Sequence, residues 1–256
     1  MSKLLHEFFP RGLARLAVAL VILGAVGAAR AADFKINPPS VDQGELSIED
    51  NSAVIVARGR STDSTHNHFA EFGYGVTDFW WAEVEGHWES GEDGFKFRSV
   101  DFENAFRLVQ QDSWWPETAL FLEYDQATVT QSTNTATLGG LFRKDFGPSS
   151  TVFNILFDHD IGRNAVTGVQ LRYTGISTWQ IVPELAPGIE VFGNAGRVGS
   201  FTNPTGQDHR FGPALTGALD IEGIGKFGYK LAYLFGLTPT SPNGTLSWRL
   251  EFDRRF

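Results

Sequence analysis

The run Glu83-x-Glu85-x-His87-x-Glu89 sets four titratable side chains at alternate positions. Residues two apart on an extended strand project from one face at about 6–7 Å spacing. A strand over this run would carry three carboxylates and an imidazole on one side. Glu85, His87 and Glu89 could then offer two or three ligands to a divalent ion. The same side chains would equally make a solvated polar wall, which is the expected reading, with no metal bound. His66-x-His68 beside Asp63 is a similar, lesser candidate. The chain has no cysteine, which excludes thiolate metal sites and disulfides. Gly73-x-Gly75 precedes no helical pattern, so a nucleotide loop is excluded and no cofactor is expected.

Ester hydrolysis would need a serine within hydrogen-bond reach of a histidine that a third group orients. His66, His68 and His209 have Asp63, Ser64 and Ser200 in range along the chain. These are ordinary loop residues, and the chain is expected not to be an enzyme; a lipid hydrolase at the rim is the least favoured reading. His159 alternates with Phe153, Ile155 and Phe157, which places it on an apolar face.

The elements that position these groups follow from alternation. In Phe227-Gly-Tyr-Lys-Leu-Ala-Tyr-Leu-Phe-Gly-Leu237 every odd residue is apolar or aromatic, while Gly228, Lys230, Ala232 and Gly236 lie opposite. That run is as long as a tilted strand needs to cross a bilayer. The final segment repeats the pattern, with Leu246, Trp248, Leu250 and Phe252 opposite Ser247, Arg249, Glu251 and Asp253. A soluble strand rarely exposes a full face of large aromatics, because such a patch aggregates. The same template predicts strands near 45–57, 66–76, 79–90, 95–108, 117–127, 134–146, 150–161, 165–176, 180–196, 208–221, 226–237 and 244–256. The fold class is therefore all-β: an antiparallel transmembrane β-barrel of twelve strands, closed because an open sheet edge is not tolerated in lipid. Ten strands are the alternative, since 45–57 alternates poorly and Pro183, Pro187, Gly188, Gly193 and Gly196 interrupt 180–196. Trp80 and Trp88, on one face, suit two interfacial girdles, and Trp114, Trp115 and Trp179 fall at turns.

Ahead of the strands, Lys3, Arg11 and Arg15 precede an apolar run at 16–29 and a small-residue site at Ala29-Arg30-Ala31. This order predicts a secretory signal peptide over 1–31, and its apolar run is shorter than a membrane span. Residues 32–44 are expected as an irregular periplasmic lead-in, and 45–256 as the barrel. Destination and architecture together predict the outer membrane of a Gram-negative bacterium. Lys+Arg total 21 against 30 Asp+Glu, without a basic cluster, which argues against nucleic acid.

If the aromatic face meets lipid, the other face lines the lumen. Glu71, Glu83, Glu85, His87, Glu103 and Glu123 then form an acidic wall, and Arg107, Arg143, Arg172, Lys230 and Arg249 supply the basic groups. One reading is a narrow water-filled path for a small polar solute or ion, leaning towards cations. The alternative is a plugged structural or adhesive barrel in which the two walls pair across the lumen.

The last strand, Thr245-Leu-Ser-Trp-Arg-Leu-Glu-Phe-Asp-Arg-Arg-Phe256, resembles the C-terminal signal of outer-membrane barrels. Trp248, Leu250, Phe252 and Phe256 hold its register, and Arg254 stands where an apolar residue is usual. More narrowly, Gly73-Tyr-Gly-Val-Thr-Asp-Phe-Trp-Trp-Ala-Glu-Val-Glu-Gly86, Leu185-Ala-Pro-Gly-Ile-Glu-Val-Phe-Gly193, Tyr233-Leu-Phe-Gly-Leu-Thr238 and Asn243-Gly-Thr-Leu-Ser-Trp-Arg-Leu-Glu251 resemble an uncharacterised proteobacterial family of porin-like outer-membrane β-barrel proteins. The resemblance covers most of the chain after about residue 66. It implies a barrel and, as partners, outer-membrane lipid, lipopolysaccharide, the barrel-assembly machinery and a small solute or ion. It transfers no activity and no functional residues.

Overall fold

The structure, a computed structural model, describes residues 34–57, 64–91, 94–129, 133–201 and 203–256. The signal peptide predicted for 1–31 lies outside them. Twelve strands follow in order: β1 (Glu45–Val56), β2 (Ser64–Gly75), β3 (Trp80–Gly91), β4 (Gly94–Val109), β5 (Glu117–Ala127), β6 (Asn134–Phe146), β7 (Ser149–Ile161), β8 (Val169–Trp179), β9 (Ala186–Arg197), β10 (Asp208–Ile221), β11 (Gly225–Gly236) and β12 (Gly244–Arg255). Each pairs antiparallel with its neighbours in sequence, and β1 pairs with β12 to close the barrel. Twelve strands, not ten, make the wall.

Ten of the strands begin and end within two residues of the alternation. The exceptions are β8 and β9, which start four and six residues later than 165 and 180. Gly162 and Gly168 adopt positive φ and keep 162–168 in a loop. Residues 180–185, with Pro183, form a turn held by the Val182–Leu185 bridge. Inside β9, Gly193 lies under the ring of Tyr173: a Cβ there would sit 2.3 Å from the ring. What reads in sequence as a break in the strand is a seat for an aromatic side chain.

Strand β4 carries a bulge. His87 faces Ser99 and Trp88 faces Phe97, leaving Arg98 as the extra residue, with its guanidinium on Glu89. The bulge switches parity, so Phe95 and Phe97 face outwards while Ser99, Asp101 and Glu103 face the lumen.

The outer surface is apolar over its whole height, with Phe72, Val84, Leu138, Ile189, Leu231 and Phe235 among its exposed residues. His159, as expected, is exposed on this side. Such a surface is costly in water and neutral in lipid, where the closed ladder satisfies the backbone. At the end holding both strand termini, Trp114 is 91% exposed beside Trp115, and Trp179 and Ile181 extend the belt. The Trp114–Trp115 turn is fixed by Asp112, whose carboxylate accepts the backbone N–H of Trp114 (2.7 Å) and Trp115 (2.6 Å). These bonds hold the Asp112 carboxyl below its ordinary range. A depressed acid stabilises the folded turn above the unfolded pKa and loses that effect as pH falls through the folded one. Asp112→Ala is therefore expected to loosen the turn at neutral pH with little further change on acidification, read from tryptophan fluorescence across a pH series.

The interior differs from expectation at its N-terminal end. Residues 32–44 were expected as a periplasmic lead-in, but 34–41 run inside the barrel, with Phe34, Lys35, Ile36 and Val41 buried. Gly44, at φ 78°, turns the chain back from β1, and its N–H donates to Gly75. Phe34 packs on Phe192, and Arg210 stacks over both rings. A second apolar cluster of Ala105, Ala119, Phe121, Leu141 and Leu156, joined by Trp81, fills part of the opposite wall.

Candidate functional site

Register turns the acidic wall into two rows. Along one, Glu49 faces Glu71, Glu71 faces Glu85, Glu85 faces Asp101 and Asp101 faces Asp125. Along the other, Glu83 faces Glu103 and Glu103 faces Glu123. Like charges directly opposite one another destabilise a sheet. All eight side chains are nonetheless buried in the lumen across β1–β5. Such rows persist where cations, retained protons or water offset the repulsion.

Among the described residues, a cation from outside the wall reaches these rows. The Lys35 ammonium, 6% exposed, reaches Glu71 at 2.8 Å, Glu103 at 3.1 Å, Glu85 at 3.4 Å and also Glu83. It bridges both rows across β2, β3 and β4. Its segment is held along its length: Asn37 exchanges two hydrogen bonds with Asn154, each 2.8 Å, and Ser40 donates to Glu117 at 2.8 Å. The Lys230 ammonium donates to the Phe34 carbonyl, and Arg107 donates to that of Val41.

The other basic side chains pair close to home. Arg172 holds Asp158, which also accepts from Thr137. Lys230 pairs with Glu190 at 3.2 Å, and Arg249 with Glu49 at 2.7 Å and Glu251 at 2.9 Å. Arg143 meets Asp145 and Ser40 towards the rim. These pairs join residues of the same, adjacent or next-but-one strands, and the segment 34–41 lies between the acidic and basic walls. Beside Lys35 a cavity of about 70 Å³ remains, bordered by Glu49, Glu83, Glu103, Trp81, Phe121 and Arg249. That is room for a few waters.

The predicted lumen residues Glu71, Glu83, Glu85, His87, Glu103, Glu123, Arg172, Lys230 and Arg249 all face inwards. The metal candidate does not assemble. Glu85 turns to Lys35, His87 stacks on Phe69 at 4.3 Å, and Glu89 binds Arg98. The carboxylates that do converge are drawn from neighbouring strands, with Glu83 and Glu85 of β3 meeting Glu103 of β4. The carboxylates of Glu49, Glu71 and Glu83, and those of Glu83, Glu85 and Glu103, bring oxygens within 4.8 Å of one another.

Of the described hydrolase candidates only Ser64 and His66 come within hydrogen-bond distance. Ser64 lies 3.4 Å from His66, and Tyr173 lies 2.8 Å from His209. Ser200 is exposed in a turn, and Asp63 lies outside the described residues. His68 meets a different serine, Ser52, at 3.2 Å, and Ser52 also bonds Asp50. Ser52 is only 2% exposed, and Asp50 holds the serine instead of orienting the imidazole. This arrangement does not present a nucleophile to a substrate.

Sequence reasoning missed Lys35, Glu49, Glu190 and Arg210. Ser47-x-Glu49-x-Asn51 was a readable polar face, obscured by Asp50 and Ser52 opposite it. For Lys35, in the irregular segment before the first strand, no sequence signal existed.

Fold and lumen define a class: a closed, twelve-stranded β-barrel of outer-membrane type, with a charged interior and its own N-terminal segment inside. Among solved structures the chain is similar to the COG4313 outer membrane channel from Pseudomonas putida F1. Identity is 11%, the TM-score is 0.54, and the match covers 90% of this chain and 100% of that one. It is also similar to the KdgM porin in complex with disordered oligogalacturonate, at 10% identity and TM-score 0.48, over 82% of this chain and 99% of that one. At 11% identity the channel's likeness concerns the fold alone. No protein-family model and no curated protein matches the chain, so the narrower family resemblance stands on its motifs.

Proposed function

We propose that the barrel sits in the outer membrane and admits a small polar solute or ion, with a preference for cations and no catalytic activity. The two carboxylate rows carry this reading. A barrel built only for support gains nothing from buried acids set opposite one another, whereas a cation path uses the potential they create. The terminal Phe256 and its register with Trp248, Leu250 and Phe252 support recognition by the barrel-assembly machinery. The outward apolar belt with its rim tryptophans supports contact with lipid and lipopolysaccharide.

The refolded protein in a planar bilayer under a KCl gradient is expected to give a cation-selective reversal potential. Glu83→Gln with Glu103→Gln should weaken that preference by about 1 kcal/mol, roughly fivefold, per carboxylate removed, the Coulomb energy at 4 Å in water. Anion preference that survives Arg→Ala changes would sink the proposal. The second reading, a plugged structural barrel, is favoured by the segment 34–41 inside the lumen, and it predicts no conductance from any variant.

A further inference from the structure

The Lys35 side chain is an alkylammonium group on a tether. It belongs to no strand of the wall, it is nearly fully buried, and four carboxylates from three strands surround its nitrogen. The cage has more acid than one ammonium neutralises. The Trp81 indole N–H also donates to Glu83 at 3.0 Å and fixes one wall. The remaining cavity lies beside the ammonium and is bordered by both polar groups and the Phe121 ring. An acidic cluster alone names no ligand; here an occupant is present and its chemistry is visible.

We propose that the cage formed by Glu71, Glu83, Glu85 and Glu103 is a binding site for primary alkylammonium groups, and that Lys35 is its internal occupant, displaced by an external amine. The proposal rests on the cation-path reading and names its solute class: primary amines and diamines with N–H donors. A quaternary ammonium of equal charge offers no donor to the carboxylates. Binding of a free amine competes with a tethered one. A site open in only about 1–10% of molecules binds its ligand roughly 10- to 100-fold more weakly than the same site held open.

The test is calorimetric titration of n-butylammonium chloride into the refolded full barrel in detergent, with tetramethylammonium as control. Lys35→Ala removes the tethered ammonium together with its stem and leaves the site open. It is expected to bind n-butylammonium at least about tenfold more tightly than the wild type, to discriminate against tetramethylammonium, and to lose binding when Glu85→Gln and Glu103→Gln are added. A folded Lys35→Ala barrel, judged by heat-modifiable gel mobility, that binds no n-butylammonium or binds both ions equally overturns the proposal. Should Lys35→Ala not fold, the wild type answers by hydrogen–deuterium exchange and mass spectrometry: excess n-butylammonium must raise the exchange of the 34–41 backbone, and protection that persists overturns the proposal. Both readouts are independent of conductance. A cation-selective channel without amine binding defeats only this inference, and amine binding without conductance defeats only the channel reading.

Discussion

Arg172→Met is expected to destabilise the barrel by about 3–5 kcal/mol, the cost of leaving a buried charge without its partner. Both Arg172 and Asp158 are buried on the lumen wall, and the pair joins β7 to β8 through a two-point contact, one arm at 3.1 Å. Thr137 donates to the same carboxylate and cannot replace a positive charge. Urea unfolding of the refolded protein in lipid vesicles reads the loss directly. The double variant Arg172→Met with Asp158→Leu should recover most of it, since removing both charges removes the desolvation penalty. A single-variant loss below about 1 kcal/mol, the range of exposed pairs, would mean that water reaches this pair.

Phe121→Ala is the second large effect, expected to cost about 3 kcal/mol or more, the range for truncating a buried aromatic. Phe121 is buried within the apolar cluster around Leu141 and also borders the cavity beside Lys35. Its removal joins that cavity to the cluster and admits water to the lumen. Stability should fall in the same urea assay, and conductance noise should rise in bilayers. An unchanged unfolding midpoint would show that the cluster repacks.

Much of the wall was legible because a transmembrane strand must alternate along its length. The face carrying Glu83, Glu85 and His87 could be read from spacing two alone, as could the outward run ending at Leu237. The strand count was legible for the same reason, although Gly193 and Pro187 blurred β9. What the sequence hid was register and topology. Glu71 and Glu85 are fourteen residues apart, and only the β2–β3 pairing sets them face to face. The extra residue Arg98 reverses parity within β4, so a single alternation through 95–103 would place Phe97 and Asp101 on the same side. Lys35 was beyond reach for another reason: its position depends on a turn at Gly44 and on carboxylates from strands far along the chain. Arg254, a departure from the usual C-terminal pattern, stacks over the Phe256 ring at 5.2 Å, so the pattern's apolar contact is replaced by a cation–π one.

The seam between β1 and β12 has a consequence for how the barrel is built. Glu45 pairs with Arg255, the longest-range contact of the wall, whereas β2, β3 and β4 are joined by short hairpins. Loop-closure entropy favours the hairpins first and the seam last. The acidic rows therefore come together early, before β12 brings Arg249 alongside Glu49. The Lys35 cage is drawn from β2, β3 and β4 alone, so its four carboxylates can be gathered by the hairpins before the seam closes.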